Sequence, residues 1–524
     1  MSDAGRGRIT YRTLDEQAGR LSEAEERFER RRRTVGLFLA PVIFLVLLVV
    51  PLGLSRPQQN LSAILGLVLT LWITEAIPIP VAGIVGVCLC AMLQVTDRPD
   101  EVFAGFSNST VFLFIGSFVI AEAMLVHQLD RRLAFTVLCS RFVGNSTTRI
   151  ILAFGLIGAL TSPFMSNTGA AAMMLPIAIG VTTSIGTVIS QRSAGAYDPS
   201  RLRFGSALML VITYSITVGG LLLPIGSPPN LIGRELVEEA TNEPITFVEW
   251  FLMAAPIVVV MFIAVVVVVL ALNKPEVKHV PGVEKFVAAE KRRLGPMTRG
   301  ERNTLIAFGL AVVGWTLPGV VALFTGDDSA IYTDISSYLD EGVVAVLAAG
   351  LLFVLPISWP ERRFTLNWNE AARIDWGTIL LFGSGIVLGN LMSKTELAAR
   401  IGNGLSETLN VSNEITITIL VVVIAVIISE TTSNTASAAI VVPIGIFLAQ
   451  AVDVNPVVPG LAAVFGANYG FMLPVSTPPN AIVYSSGYLP ITRMIKAGAV
   501  FDVIGAVLCV GGVAVMARLV GLTG

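Results

Sequence analysis

"MSNTGAAAMMLPIA" occupies Met165–Ala178, and nearly the same phrase returns at Thr432–Ile444 as "TSNTASAAIVVPI". Each sets a Ser-Asn-Thr step before small residues and then proline, inside an apolar stretch about twice the length of one membrane crossing. Neither reads as a good mid-membrane helix. In hydrocarbon, backbone that departs from a helix survives only where protein, water or bound ions satisfy its polar groups.

The surrounding chain makes hydrocarbon the relevant solvent. Of its 524 residues, 54% are hydrophobic and 14% charged, against roughly 25% charged in soluble domains; its mean hydropathy is +0.77. Runs such as 35–54 and 250–272 match the length of a membrane-crossing helix. The chain therefore reads as an all-α polytopic membrane protein. The run after "RFERRRRTV" is too long for a signal peptide and has no cleavage site, which predicts a retained first helix behind a polar tail. Cys88, Cys90, Cys139 and Cys509 show no metal or disulfide spacing and read as small hydrophobes. The chain has no HExxH, GxSxG or Walker motif, which argues against an enzyme or an ATP-driven pump.

Charge sets the orientation. Lys274, Lys278, Lys285, Lys291, Arg292, Arg293, Arg299 and Arg302 crowd one loop, while 234–249 and 326–341 are dominated by Asp and Glu. The positive-inside rule puts the N-terminus and the basic loop in the cytoplasm and the acidic loops outside. Threading then predicts about eleven transmembrane helices, at 35–54, 61–78, 79–96, 103–128, 203–239, 250–272, 304–325, 342–358, 376–393, 457–489 and 495–517. The C-terminus falls outside, and the expected location is the plasma (inner) membrane. Segments 148–190 and 412–450 do not fit as single spans. They read as two re-entrant hairpins entering from opposite faces, with SNT at each tip.

The halves repeat. Residues 162–177 match 429–444 at eight of sixteen positions, and the Gly-Ser step shared by "FLFIGSF" (Phe112–Phe118) and "LLFGSGI" (Leu380–Ile386) falls at the same offset of 267. "PIGSPPN" (Pro224–Asn230) pairs with "PVSTPPN" (Pro474–Asn480) at an offset of 250. An odd number of spans between corresponding points inverts the second copy. Inverted, Gly/Pro-broken segments point to a secondary transporter's site near the bilayer midplane. The paired prolines remove amide donors and force a break, freeing carbonyls that suit a small cation. Helix N-termini at the tips attract anions. No Lys, Arg or His occurs in 150–191, 204–233 or 401–492. Bound cations are the missing countercharge for an anionic substrate, and two oxygen-rich loops predict at least two sites, with Na⁺ the fitting ion.

"SNTGAAAMMLPIA", "SETTSNTASAAIVVPI", "FMLPVSTPPNAIV", "WITEAIPIPV" and "DWGTILLFGSGI" resemble the divalent anion:sodium symporter family, the dicarboxylate, citrate and sulfate carriers, over about 60–520. The resemblance implies an elevator-type homodimer that imports di- or tricarboxylates with sodium. It divides the chain into a cytoplasmic tail (1–34), scaffold segments (35–147 and 304–411), a cytoplasmic loop (273–303) and transport segments (148–272 and 412–524). It assigns Ser166, Asn167, Thr168, Ser433, Asn434 and Thr435 to the substrate carboxylates, with Ser227 and Thr477 flanking. It implies one sodium ion among Ser162, Ser166, Asn167 and Gly226 and a second among Ser429, Asn434 and Ser476. Ser227, Ser476 and Asn468 depart from residues common in the family.

Simpler readings compete. One SNT step can be only a packing surface, since small polar residues are common between membrane helices; two copies in an inverted repeat, each with its PPN loop, are not explained that way. Glu75 is expected to bond to nearby backbone, and Glu430 is a candidate to tune the second cation site. The six tryptophans, at 72, 250, 315, 359, 368 and 376, are expected to be interfacial anchors. A sodium-independent dicarboxylate exchanger and a sulfate or other inorganic anion carrier remain the alternatives.

Overall fold

The computed structural model describes residues 23–96, 98–140, 143–192, 202–279, 283–326, 329–409 and 411–523. Residues 1–22 of the expected tail lie outside the described residues; from Glu23 onward the expected tail is already the start of the first helix. That helix, α1 (Glu23–Val49), runs on through the four arginines into the apolar run. It packs on α2 (Arg56–Thr74), which packs in turn on α3 (Ile79–Met92). A single turn at Glu101–Ala104 leads to α4 (Ser109–Val126). Asn108 starts α4 by accepting the Thr110 N–H at 2.8 Å, one of the donors that a helix start leaves free. The amphipathic α5 (Leu129–Leu138) follows.

The first repeat unit then begins. α6 (Thr147–Thr161) stops before the SNT phrase and α7 (Asn167–Arg192) starts within it. α8 (Arg203–Gly220) breaks at the PIGS segment and resumes as α9 (Pro228–Thr241). Proline suits this restart, because the first turn of a helix needs no amide donor. α10 (Phe247–Leu272) closes the unit, and α11 (Val283–Arg293) lies in the basic loop. The connecting elements are α12 (Arg299–Thr325), α13 (Ala330–Tyr338), α14 (Glu341–Leu351) and a small antiparallel pair, β1 (Pro356–Ser358) with β2 (Arg363–Phe364). α15 (Trp376–Lys394) and α16 (Leu397–Leu409) complete them. The second unit repeats the first: α17 (Glu414–Thr431), the tip, α18 (Asn434–Ala451), α19 (Val457–Ala467), a break, α20 (Pro478–Tyr484) and α21 (Ile491–Val520).

Packing follows the same pairing. α8 lies against both limbs of the first hairpin, α6 and α7, and α19 lies against both limbs of the second, α17 and α18. All of Phe204–Gly220 and all of α19 are buried, as expected of helices apolar on every side. The limbs of the second hairpin are tied below the tip by Ser437 Oγ donating to the Ala425 carbonyl at 2.9 Å. α10 packs against α21, and α4 against α14. Large apolar side chains face outward along α1 (Phe38), α10 (Val267), α12 (Val313) and α21 (Val503), the surface a lipid environment requires.

Nine helices among the described residues are long and apolar enough to cross a membrane. Three of them are hairpin limbs: α6 with its short extension, α17 and α18. The other six, with α2, the short α3 and α14 and the two broken helices, account for the eleven expected passes. Three details differ from the sequence reading. The span expected at 342–358 is helical only to Leu351, and β1 follows. Trp72, Trp250 and Trp315 are buried, with indole N–H groups donating to the carbonyls of Ile79, Leu221 and Glu341; only Trp359, Trp368 and Trp376 are exposed as anchors would be. Glu75 ends α2 in a left-handed conformation (φ 48°) and pairs with Arg32 at 3.4 Å and Arg33 at 3.7 Å of α1, rather than with backbone. Ion pairing suits a carboxylate at that depth better, since a lone charge there is expensive.

Candidate functional site

The two tips are built alike, and each is set by short-range capping. Ser166 Oγ accepts the Gly169 N–H at 3.1 Å at the start of α7, and Ser433 Oγ accepts the Ala436 N–H at 3.2 Å at the start of α18. Beside each cap, a serine at the end of the preceding limb meets the tip asparagine. Ser162 Oγ donates to Asn167 Oδ1 at 2.6 Å, and Ser429 Oγ lies 2.8 Å from Asn434 Oδ1. The breaks are tied off in the same way. Asn230 Nδ2 donates to the Gly220 and Leu223 carbonyls at 2.8 and 2.9 Å, and Asn480 Nδ2 to those of Gly470 and Leu473 at 2.7 and 3.0 Å. The third residue of each PPN therefore holds the freed carbonyls in place.

Hairpin and break converge at two glycines. A methyl group at Gly220 would lie 3.1 Å from Gly226 O, 3.2 Å from Asn167 Oδ1 and 3.2 Å from Ser162 Oγ. At Gly470 it would lie 3.1 Å from Ser429 O, 3.3 Å from Asn434 Oδ1 and 2.8 Å from Ser476 Cβ. Gly220 thus faces three neutral oxygens, and Gly470 two beside the Ser476 side chain, donors suited to a hard cation. The structure brings Ser162, Asn167 and Gly226 together at one tip, and Ser429, Asn434 and Ser476 at the other.

Other expected residues sit differently. Ser227 is buried and donates to Asn468 Oδ1 at 2.6 Å, so its hydroxyl proton points into the interior. Thr477 is also buried, and its hydroxyl accepts the Asn480 N–H at 3.3 Å. Thr168 is buried, while Ser166 and Thr435 are partly exposed. Ser476 Oγ is 2.9 Å from both the backbone carbonyl and Oε2 of Glu430. Glu430 Oε1 accepts the N–H groups of Phe471 and Met472 at 2.5 and 2.9 Å. Glu430 therefore braces the second break and directs the Ser476 hydroxyl. The corresponding position in the first repeat is Pro163, so this brace belongs to one half only.

Asn468 was legible only as a departure from family pattern, and the structure makes it the hub. It receives Ser227 Oγ, donates to Asn230 Oδ1 at 3.1 Å and to Val464 O at 2.9 Å, and its carbonyl accepts Asn434 Nδ2 at 3.1 Å. Thr213 Oγ1 makes a second link between halves, to Asn480 Oδ1 at 2.6 Å. Arg32 of α1 donates to the Thr431 carbonyl, two residues before Ser433. Its charge is offset by Glu29 at 2.8 Å and Glu75 at 3.4 Å. Sequence reading passed over Asn230, Asn480, Gly220, Gly470 and Arg32. The asparagines and glycines had a signal, their recurrence at the offset of 250; Arg32 had none.

The arrangement offers two oxygen cradles, each beside a helix N-terminus that carries about half a positive charge. It can hold small cations and an anion near one another without a basic side chain at the tip itself.

Residues 31–522 match the profile of the sodium:sulfate symporter transmembrane region. A sodium-dependent dicarboxylate transporter, SdcS, of Staphylococcus saprophyticus is 32% identical over 481 residues, covering 91% of this chain and 90% of the relative. SdcS of Staphylococcus aureus is 32% identical over 480 residues, covering 91% and 89%. A solved structure of Neisseria gonorrhoeae MtrF aligns with a TM-score of 0.49 at 12% identity, over 78% of this chain and 82% of that one. With the profile matched almost end to end and relatives near one-third identical over nine-tenths of its length, this chain belongs to the family of the sodium:sulfate symporter transmembrane region.

Proposed function

We propose that this chain is a secondary active transporter that imports di- or tricarboxylates of the succinate, malate and fumarate type by sodium symport. In this reading Ser166, Asn167, Thr168, Ser433, Asn434 and Thr435 meet the carboxylates, with Ser227 and Thr477 flanking. One Na⁺ binds among Ser162, Ser166, Asn167 and Gly226, and another among Ser429, Asn434 and Ser476. The unit formed by 148–272 and 412–524 slides as an elevator against a scaffold of 35–147 and 304–411. The scaffold pairs two copies in the plasma (inner) membrane, with the N-terminus cytoplasmic and the C-terminus outside.

The observation that carries the reading is the pair of mirror-related oxygen cradles at Gly220 and Gly470. A dicarboxylate brings two negative charges, and two helix N-termini offset about one of them. Moving the remainder through a low-dielectric region is costly. Two Na⁺ at the cradles remove that charge and give the anion its affinity. Relatives that carry the words sodium-dependent and dicarboxylate in their names support the choice of ion and anion.

The test is uptake of labelled succinate, citrate and sulfate into proteoliposomes with Na⁺, Li⁺ or choline outside. Succinate uptake that requires Na⁺, with a Hill coefficient above one, is the expected result. Equal uptake in choline, driven only by preloaded internal dicarboxylate, would replace symport by exchange. Sulfate uptake without succinate uptake would replace the anion.

A further inference from the structure

Helix α9 carries four charged residues in sequence range 234–239, Arg234, Glu235, Glu238 and Glu239, and it belongs to the sliding unit in the reading above. Arg234 and Glu235 are each only 8% exposed. Such groups are costly to bury unless partnered, and most of their partners lie in the scaffold. Glu235 Oε1 accepts Asn108 Nδ2 at 2.5 Å, and its Oε2 accepts Thr110 Oγ1 at 2.6 Å. Arg234 grips Glu341 with two parallel bonds, Nη1 to Oε2 at 2.7 Å and Nη2 to Oε1 at 3.1 Å. Its Nε is held by Glu238 of its own helix at 2.9 Å, which aims the fork outward. α15 packs against the same helix. The starts of α4 and α14 thus grip its charged side chains. At the second tip Arg32, just ahead of the scaffold, donates to the Thr431 carbonyl.

These bonds tolerate almost no sliding. A displacement of one helical turn, about 5.4 Å, exceeds every bond length in the set. The groups also have no alternative partners on α9 itself beyond Glu238. We propose that Glu235 with Asn108 and Thr110, and Arg234 with Glu341, form a latch that holds the transport unit at this end of its stroke. The latch rests on the elevator reading, and its strength sets how the carrier divides its time between two positions. It also gives a role to Asn108, which the substrate site leaves unused: Asn108 starts α4 with its oxygen and holds Glu235 with its nitrogen.

The test measures position directly, in the full-length chain in lipid. Spin labels at Ser337→Cys on the scaffold and Glu243→Cys on the transport unit report their separation, with Cys88 and Cys139 replaced by alanine. Thr110→Val removes one donor to Glu235, and Glu341→Gln removes the charge opposite Arg234 while keeping the shape. Both should move the ratio of the two distance populations by about tenfold away from the latched one. A ratio unchanged in both variants overturns the latch. Na⁺-dependent succinate binding to the unsubstituted chain is measured alongside. Its absence would count against the proposed substrate and ion, whereas the distance ratio still decides the latch.

Discussion

Replacing Gly220 by alanine would put a methyl group into the space bounded by Gly226 O, Asn167 Oδ1 and Ser162 Oγ, at 3.1, 3.2 and 3.2 Å. These separations are a few tenths of an ångström inside ordinary contact. Overpacking of this size costs about 1–3 kcal/mol. Alanine in place of glycine returns up to about 1 kcal/mol in a helix interior, and less at position 220, where α8 ends. The folded chain should therefore survive. A cation held by these oxygens fares worse, because the methyl intrudes among them and pushes them apart. If the 1–3 kcal/mol falls on the bound state, Na⁺ affinity drops by about 5–150-fold. The assay is Na⁺-dependent thermal stabilisation of the purified protein, followed by Na⁺ titration of succinate uptake. Gly220→Ala should right-shift both curves and lower the Hill coefficient towards one. Gly385→Ala, where a methyl group meets nothing within 4 Å, is the control and should leave both unchanged. Wild-type Na⁺ affinity and Hill coefficient in a well-folded Gly220→Ala variant would refute the cradle.

Asn167→Ala and Asn434→Ala should each abolish uptake while expression and oligomer size stay intact; near-normal transport by either would remove the two-tip site. Asn468→Ala strands Ser227 Oγ and Asn230 Oδ1 in the buried core. At about 1–3 kcal/mol for each unsatisfied group, the variant should unfold at clearly lower temperature, measured by differential scanning fluorimetry in detergent. Cysteines at Ser329 and Ala288, in the acidic and basic loops, should label from opposite faces of the membrane. Labelling from one side would break the threading and the inverted repeat with it.

The repeat was legible because it is written in local chemistry. SNT caps a helix within three residues, and PPN starts a helix, so sequence alone places each restart. Hydrophobic run length likewise gave the passes, since a bilayer of fixed thickness selects helix length. The tryptophans failed for the complementary reason. An indole suits a membrane interface and a buried carbonyl equally well, and only the packing around Trp72, Trp250 and Trp315 chose the latter.

What the sequence determined by itself is therefore the class of the protein, its two mirrored halves and the residues at each tip, all consequences of short-range capping, proline and hydropathy. What only the tertiary structure decided is how those tips are joined and held. Asn468 becomes a hub because the packing of α9 on α19 brings it against Ser227 and Asn230, more than two hundred residues away. Arg32 meets Thr431 across 399 residues, and Arg234 meets Glu341 across 107. A charge in a polar segment carries no mark of its partner. Where it ends up is set by which buried surfaces pack together, and that is a property of the whole fold.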